Sequence, residues 1–257
     1  MGGAILHGVI KGGVEPAGIV IYDVHEETLK RRSHTYNVRA AKTQAEAVRG
    51  ADVVVMAVKP YQIVETLREV GGAGRPIFVS VAAGVSLQTM EQELGDGAKV
   101  VRVMPNTPAT VGEAMTAVCR GKNVSDRELE SVCGIFELFG KSAVVGEGLI
   151  NVSAGIGGCA PAYVYMFIEA LADAGVLHGL ARADAYTFAA QSVMGAAKMV
   201  LETGAHPGEL KDAVCSAGGA TIEAVAALER NAFRGIVTDA VTAAVDKMHR
   251  MGNTTKV

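Results

Sequence analysis

A turn of small residues late in the chain carries the clearest chemistry. Lys211-Asp212-Ala213-Val214-Cys215-Ser216-Ala217-Gly218-Gly219-Ala220-Thr221-Ile222 reads as a helix that breaks at Ser216–Gly219 and a second helix that starts near Ala220. Two adjacent glycines permit positive φ and let the backbone come close to a ligand. The unpaired N–H groups of the new helix point outward, which favours an anion such as a carboxylate. Thr221 sets a hydroxyl at the lip of that turn. A plain Gly-Gly corner between two helices is the structural alternative. In Met104-Pro105-Asn106-Thr107-Pro108 two prolines fix an extended loop around Asn106, whose amide is a hydrogen-bond donor; a purely structural turn competes with that role. The histidines His7, His25, His34, His178, His206 and His249 read as surface or helix-end residues, and none is placed for catalysis. The four cysteines, Cys119, Cys133, Cys159 and Cys215, form no CxxC or Cys/His cluster, so no metal site is expected. They read as small apolar side chains in a reducing cytosol.

The elements around these residues change character in the middle of the chain. Over 1–120, the runs Ile19–Tyr22, Asp52–Ala57, Pro76–Val81 and Lys99–Met104 are short and β-rich. Helical windows lie between them, near 2–13, 25–35, 43–50, 60–70 and 86–94. That alternation predicts a doubly wound parallel sheet with helices on both faces. Ser125-Asp126-Arg127-Glu128 is a capping box that opens a helix to about Phe139, and Ala143-Val144-Val145 is a short strand. After Glu147 only helical patterns remain. Ala160–Gly175 is apolar almost all round, which predicts burial. So small a domain cannot bury that helix, the run Asp184–Thr203 and the stripe Phe233, Ile236, Val237, Ala240, Val241, Ala244, Met248 by itself. Completion of its core by a second subunit is therefore expected, with a tight monomeric bundle as the alternative.

A sheet of this kind places a glycine-rich turn after its first strand, and an acidic residue about 20 residues on binds the adenosine ribose. Gly2 fits the last glycine of such a turn, and about ten residues bearing the strand and the earlier glycines are expected ahead of Met1. Asp23 follows the run Ile19–Tyr22 at the ribose position and suits NAD, although helix capping ahead of Glu26 and Glu27 competes. The basic run Lys30-Arg31-Arg32, with His25, suits the extra phosphate of NADP or else a solvated helix face. A net charge of −3 gives no basic surface for nucleic acid. The longest apolar runs, Val53–Val58 and Ala160–Ile168, read as too short to span a bilayer, and no secretory signal is visible.

Five motifs in this order, Ala57-Val58-Lys59-Pro60, Ser80-Val81-Ala82-Ala83-Gly84, Met104–Pro108, Pro161-Ala162-Tyr163 and Ser216–Thr221, resemble those of the pyrroline-5-carboxylate reductase family, from Met1 to about Arg250. The resemblance implies a Rossmann-type dinucleotide-binding domain over 1–148, N-terminally incomplete, and an all-helical substrate-binding and dimerisation domain over 149–257. It implies NADPH or NADH as cofactor, held by Gly2, Asp23, Gln44, Ala57, Val58, Lys59, Pro60, Val81, Ala82, Ala83 and Asn106. Val214, Ser216, Gly218, Gly219, Ala220 and Thr221 are implied to bind pyrroline-5-carboxylate, with Thr221 catalytic. The expected protein is a cytoplasmic enzyme of proline biosynthesis, a homodimer or a higher oligomer of dimers, with no nucleic-acid or membrane partner. Three positions depart from the family pattern: Ala217 stands for proline, Gly157-Gly158-Cys159-Ala160 for a Ser-Gly-Ser-Gly type run, and Gln44 for Asn or a small polar residue. Two alternatives stay open: a β-hydroxyacid dehydrogenase-like enzyme with Lys198 as its catalytic lysine, and a non-catalytic dimeric scaffold or metabolite sensor.

Overall fold

The computed structural model describes the backbone of residues 1–254 and the side chains of 1–251. The chain forms two compact units: Met1–Cys159 with the segment from Ala243 onward, and Ala160–Thr242. The division falls beyond the sequence-based boundary at 148/149. Ile150, which opens the helix Ile150–Gly157, is fully buried in the core of the first unit.

In the first unit helices and strands alternate: α1 (Gly2–Lys11), β1 (Val20–Ile21), α2 (Glu26–Tyr36), β2 (Arg39–Ala40), α3 (Gln44–Val48), β3 (Val53–Met56), α4 (Ile63–Val70), β4 (Ile77–Ser80), α5 (Leu87–Leu94), β5 (Lys99–Met104), β6 (Ala114–Arg120), α6 (Asp126–Glu137), β7 (Gly140–Val144) and α7 (Ile150–Gly157). Local chemistry sets several of the helix starts. Thr43 Oγ1 accepts from the Glu46 N–H at 3.1 Å to open α3, and Ser86 Oγ accepts from Thr89 N–H at 3.0 Å to open α5. The capping box at α6 closes with Ser125 N–H donating to Glu128 Oε2 at 2.9 Å.

Five strands form one sheet in the order β3-β4-β5-β6-β7, while β1 and β2 pair in parallel in a sheet of their own. Alternate residues feed two cores. Phe78 and Val100 pack with Ile63, Leu67 and Met90 on one face; Val79, Val101 and Val103 pack with Ile5, Phe136 and Phe139 on the other. This is the doubly wound arrangement, with one departure from an all-parallel sheet: β6 runs antiparallel to β5. A short 3₁₀ turn, Thr107–Val111, followed by Gly112 at φ 84° returns the chain directly. A parallel neighbour would need a longer crossover.

The second unit is helical: α8 (Ala160–Leu177), α9 (Arg182–Thr203), α10 (Pro207–Ala213), α11 (Ala220–Arg230) and the start of α12 (Phe233–Thr254). Its core is small, Ala172, Ala185 and Ala189 with Ile168 and Val176. The burial expected for α8 is absent within one chain: Ala172 is its one buried residue among those described, and Met166 is 69% exposed. Among the described residues one stretch, Glu147–Leu177, is long and apolar enough to cross a membrane by length and composition alone, its best 18-residue window having a mean hydropathy of 1.3. Gly158 and Cys159 interrupt it between α7 and α8, so it is not one continuous helix.

Candidate active site

The sheet sets three expected cofactor segments side by side. β3, β4 and β5 are parallel and in register, Met56 beside Ser80 and Ser80 beside Arg102, so their carboxyl ends share one edge. From that edge run Ala57-Val58-Lys59-Pro60, Val81-Ala82-Ala83 and the loop of Asn106. Ligands of open α/β sheets bind in the crevice at such an edge. Pro60 opens a 3₁₀ turn, and Gln62 Oε1 accepts the Lys59 N–H at 3.2 Å, which holds the Lys59 backbone while its side chain stays in solvent.

The start of α1 belongs to the same place. A Cβ on Gly2 would lie 3.0 Å from Ala57 Cβ, so the helix abuts the turn after β3 and only a residue without a side chain fits easily. The space a Gly3 side chain would take is filled by the Arg32 guanidinium, reaching over from α2. Met1 gives no side-chain cap. A cation against the positive end of a helix is unfavourable by itself. A phosphate anion at the head of α1 and within reach of Arg32 would offset the repulsion, so these residues could hold the pyrophosphate of a dinucleotide. The sequence reading placed Arg32 in a basic run suited to the NADP phosphate or a solvated helix face, and not at the start of α1.

Asp23 stands two residues beyond β1, half-buried, with Oδ1 accepting the His25 N–H at 2.9 Å. Gln44 is the first residue of α3, behind its Thr43 cap. Asn106 is 7% exposed and anchored at both ends of its amide: Nδ2 donates to the Gly157 carbonyl at 2.9 Å, and Oδ1 accepts from Met115 N–H at 3.0 Å. It therefore ties the loop after β5 to β6 and α7. Beside it lies a buried charge that the sequence reading passed over. Arg102, 4% exposed, donates to Asn151 Oδ1 at 3.2 Å and stands 3.7 Å from Glu147 Oε1. Burial pushes its guanidinium down, and Glu147 opposes that shift. Burial likewise pushes the Cys119 thiol up. The signal was visible in Val100-Val101-Arg102-Val103, a charge inside an apolar strand.

In the second unit the glycine turn takes the form expected of it. α10 ends at Ala213, Gly218 sits at φ 67°, and Gly219 heads α11 in an extended conformation. Val214, Ser216, Ala217, Gly218, Ala220 and Thr221 are exposed, and Val214 is 64% exposed at the end of α10. The Gly219 N–H donates to the Ser216 carbonyl at 3.0 Å. The groups left at the head of α11 are therefore the N–H of Ala220, Thr221 and Ile222, not Gly219. No side chain caps the helix, so the Thr221 hydroxyl is not spent as its N-cap. Lys198 lies 3.4 Å from Glu202 on an exposed face of α9, an i,i+4 surface pair. That setting gives no support to it as a catalytic lysine.

Two family descriptions match the chain, "Pyrroline-5-carboxylate reductase dimerisation" over 147–251 and "NADP oxidoreductase coenzyme F420-dependent" over 1–84. The chain is 44% identical to a pyrroline-5-carboxylate reductase of Escherichia coli over 254 residues, covering 98% of this chain and 94% of that one. It is 41% identical to one from Methanosarcina acetivorans, again over 98% and 94%. Among solved structures, a pyrroline-5-carboxylate reductase from Coxiella burnetii superposes with a TM-score of 0.91 at 31% identity, over 96% of this chain and 93% of that one. A Plasmodium falciparum pyrroline carboxylate reductase with NADP bound superposes at 0.87 and 32%, over 98% and 94%. By its motifs, its fold and its identity to relatives along almost its whole length, the chain belongs to the pyrroline-5-carboxylate reductase family.

Proposed function

We propose that the protein reduces the imine of 1-pyrroline-5-carboxylate to L-proline with NAD(P)H, the last step of proline biosynthesis. The observation that carries this reading is the uncapped, exposed head of α11. Gly218 at φ 67° starts α11 with its first N–H groups uncapped by any side chain, beside the exposed Thr221, in a family whose members are named for this substrate. The bound nicotinamide supplies the hydride to the imine carbon. The protein's own residues bind, orient and place a proton. The Ala220 and Thr221 N–H groups hold the substrate carboxylate at the positive end of α11. The Thr221 hydroxyl hydrogen-bonds the imine nitrogen and helps keep its proton there, making the carbon a better electrophile. In the first unit, Gly2 and Arg32 hold the pyrophosphate, and the small residues Val81, Ala82 and Ala83 let the nicotinamide approach. Ala57, Val58, Lys59 and Pro60 line the cofactor from the end of β3. Gln44 stands toward the adenosine, and Asn106 shapes the loop after β5 from behind.

The exposed apolar faces of α8, α9 and α12 form a homodimer interface, with higher assembly built from dimers, in a cytoplasmic enzyme. Met166, Phe188 and Ile236, each more than 60% exposed in one chain, are what such an interface would cover. The cofactor residues fall in 1–148 and the substrate residues in 149–257, the two functional domains.

Thr221→Ala tests the chemical assignment. It removes a hydroxyl and a methyl group from an exposed residue that caps nothing, so the fold survives. Proton placement by one group is worth roughly 10²–10⁴-fold, and at least a tenfold fall in kcat is expected with NAD(P)H affinity unchanged. Near-normal turnover would show that the proton comes from solvent. Lost cofactor binding would show that this turn does not face the substrate.

A further inference from the structure

Building on the dinucleotide reading above, we propose that this chain selects NADH over NADPH and that Asp23 makes the selection. The carboxylate stands just past the end of β1, where an open α/β sheet presents a residue to the adenosine ribose. The His25 N–H bond to Oδ1 fixes its orientation, and Oδ2 has no partner among the described residues. A carboxylate has only acceptors to offer. The ribose diol of NADH brings two O–H donors to it. NADPH carries a phosphate in place of one of these, with a further charge of about −1.5 to −2. Glu26 and Glu27, in the first turn of α2, add negative charge a few residues away.

Two members of the basic run are turned elsewhere: Lys30 is held by Glu26 at 2.6 Å, and the Arg32 guanidinium lies against Gly3 at the start of α1. Arg39, on β2, faces Glu46 at 3.7 Å. Arg31, Lys42 and His25 are exposed, and none forms an ion pair among the described residues. One oriented carboxylate therefore meets the ribose, while Lys30 and Arg39 are each paired with a glutamate and Arg31, Lys42 and His25 stay in solvent.

Fluorescence titration of the full-length protein with NADH and with NADPH, without substrate, reads the selection directly. The wild type should bind NADH at least tenfold more tightly. Asp23→Ser, which leaves a donor and an acceptor in place of the charge, should weaken NADH and strengthen NADPH, moving the ratio of dissociation constants at least tenfold toward NADPH. A melting curve on the same sample confirms that the variant is folded. Equal affinities, or a wild-type preference for NADPH, would overturn the proposal while leaving the reductase reading intact. An NADH preference that Asp23→Ser does not move would remove Asp23 as its cause. Binding of neither coenzyme would refute the dinucleotide reading and this inference with it.

Discussion

Removing Glu147 should destabilise the first unit through a residue it barely touches. Arg102 is 4% exposed, and its Nε has no partner among the described residues. Its one counter-charge there is Glu147, 3.7 Å away, and Asn151 supplies a neutral acceptor at 3.2 Å. Glu147 also accepts the Leu87 N–H at 2.6 Å, anchoring the start of α5. Breaking a buried ion pair from one side costs about 3–5 kcal/mol, because the remaining charge is stranded. The Glu147 side chain is 38% exposed, so water recovers part of that. Losing the bond to Leu87 returns about 1 kcal/mol to the cost. The expected loss for Glu147→Ala is about 2–3 kcal/mol, a fall in Tm of roughly 4–12 °C for a protein of this size. The double variant Arg102→Met/Glu147→Ala removes the stranded charge and fills its volume, and should melt above Glu147→Ala alone. Differential scanning calorimetry of the two variants decides the matter. A Tm for Glu147→Ala within about 1 °C of wild type, or a double variant that melts lower than the single, would refute the reasoning.

Gly8→Ala should destabilise by about 1–2 kcal/mol despite the better helix propensity of alanine, because the new Cβ would stand 2.5 Å from Phe139 Cγ in a closed core. Gly3→Ala is the control: its Cβ meets only the flexible tip of Arg32, so it should melt near wild type in the same denaturation experiment. Glu128, bonded to Lys99 at 2.5 Å and to Ser125, has its carboxyl lowered from 4.5 to about 2. A lowered pKa stabilises the fold above the unfolded value and loses that effect as pH falls through the folded one. The Tm gap between wild type and Glu128→Gln should thus be full above about 4.5 and close toward about 2; a gap that does not change over this window would contradict the assignment.

Much of the fold is legible in the sequence, for identifiable reasons. Continuous apolar strands such as Val53-Val54-Val55-Met56 and the Ser125–Glu128 box carry their own local signals, and the break before Ala220 is set by Gly218 and Gly219. What escaped depends on partners distant in sequence. β6, Ala114-Met115-Thr116-Ala117-Val118-Cys119-Arg120, has little strand propensity; its pairing with Val101–Met104 and with β7 makes it a strand. Asn106 reads as a ligand donor from its loop alone; its tie to Gly157 and Met115, through one N–H and the Oδ1, depends on residues beyond that loop. Arg102 reads as a misplaced charge until Glu147 and Asn151 fold over it. The apolar circumference of α8 announces burial, yet within one chain only Ala172 of it is buried among the described residues, as the expectation of a second subunit anticipates.

The central claim, imine reduction, is tested most directly by following nicotinamide absorbance with purified protein and NADH or NADPH. The assay is run separately with 1-pyrroline-5-carboxylate and with small 3-oxo acids. Oxidation of the coenzyme should depend on the imine, with proline formed in equal amount. Turnover of the oxo acids with no activity on the imine would contradict the account and move the protein to hydroxyacid chemistry.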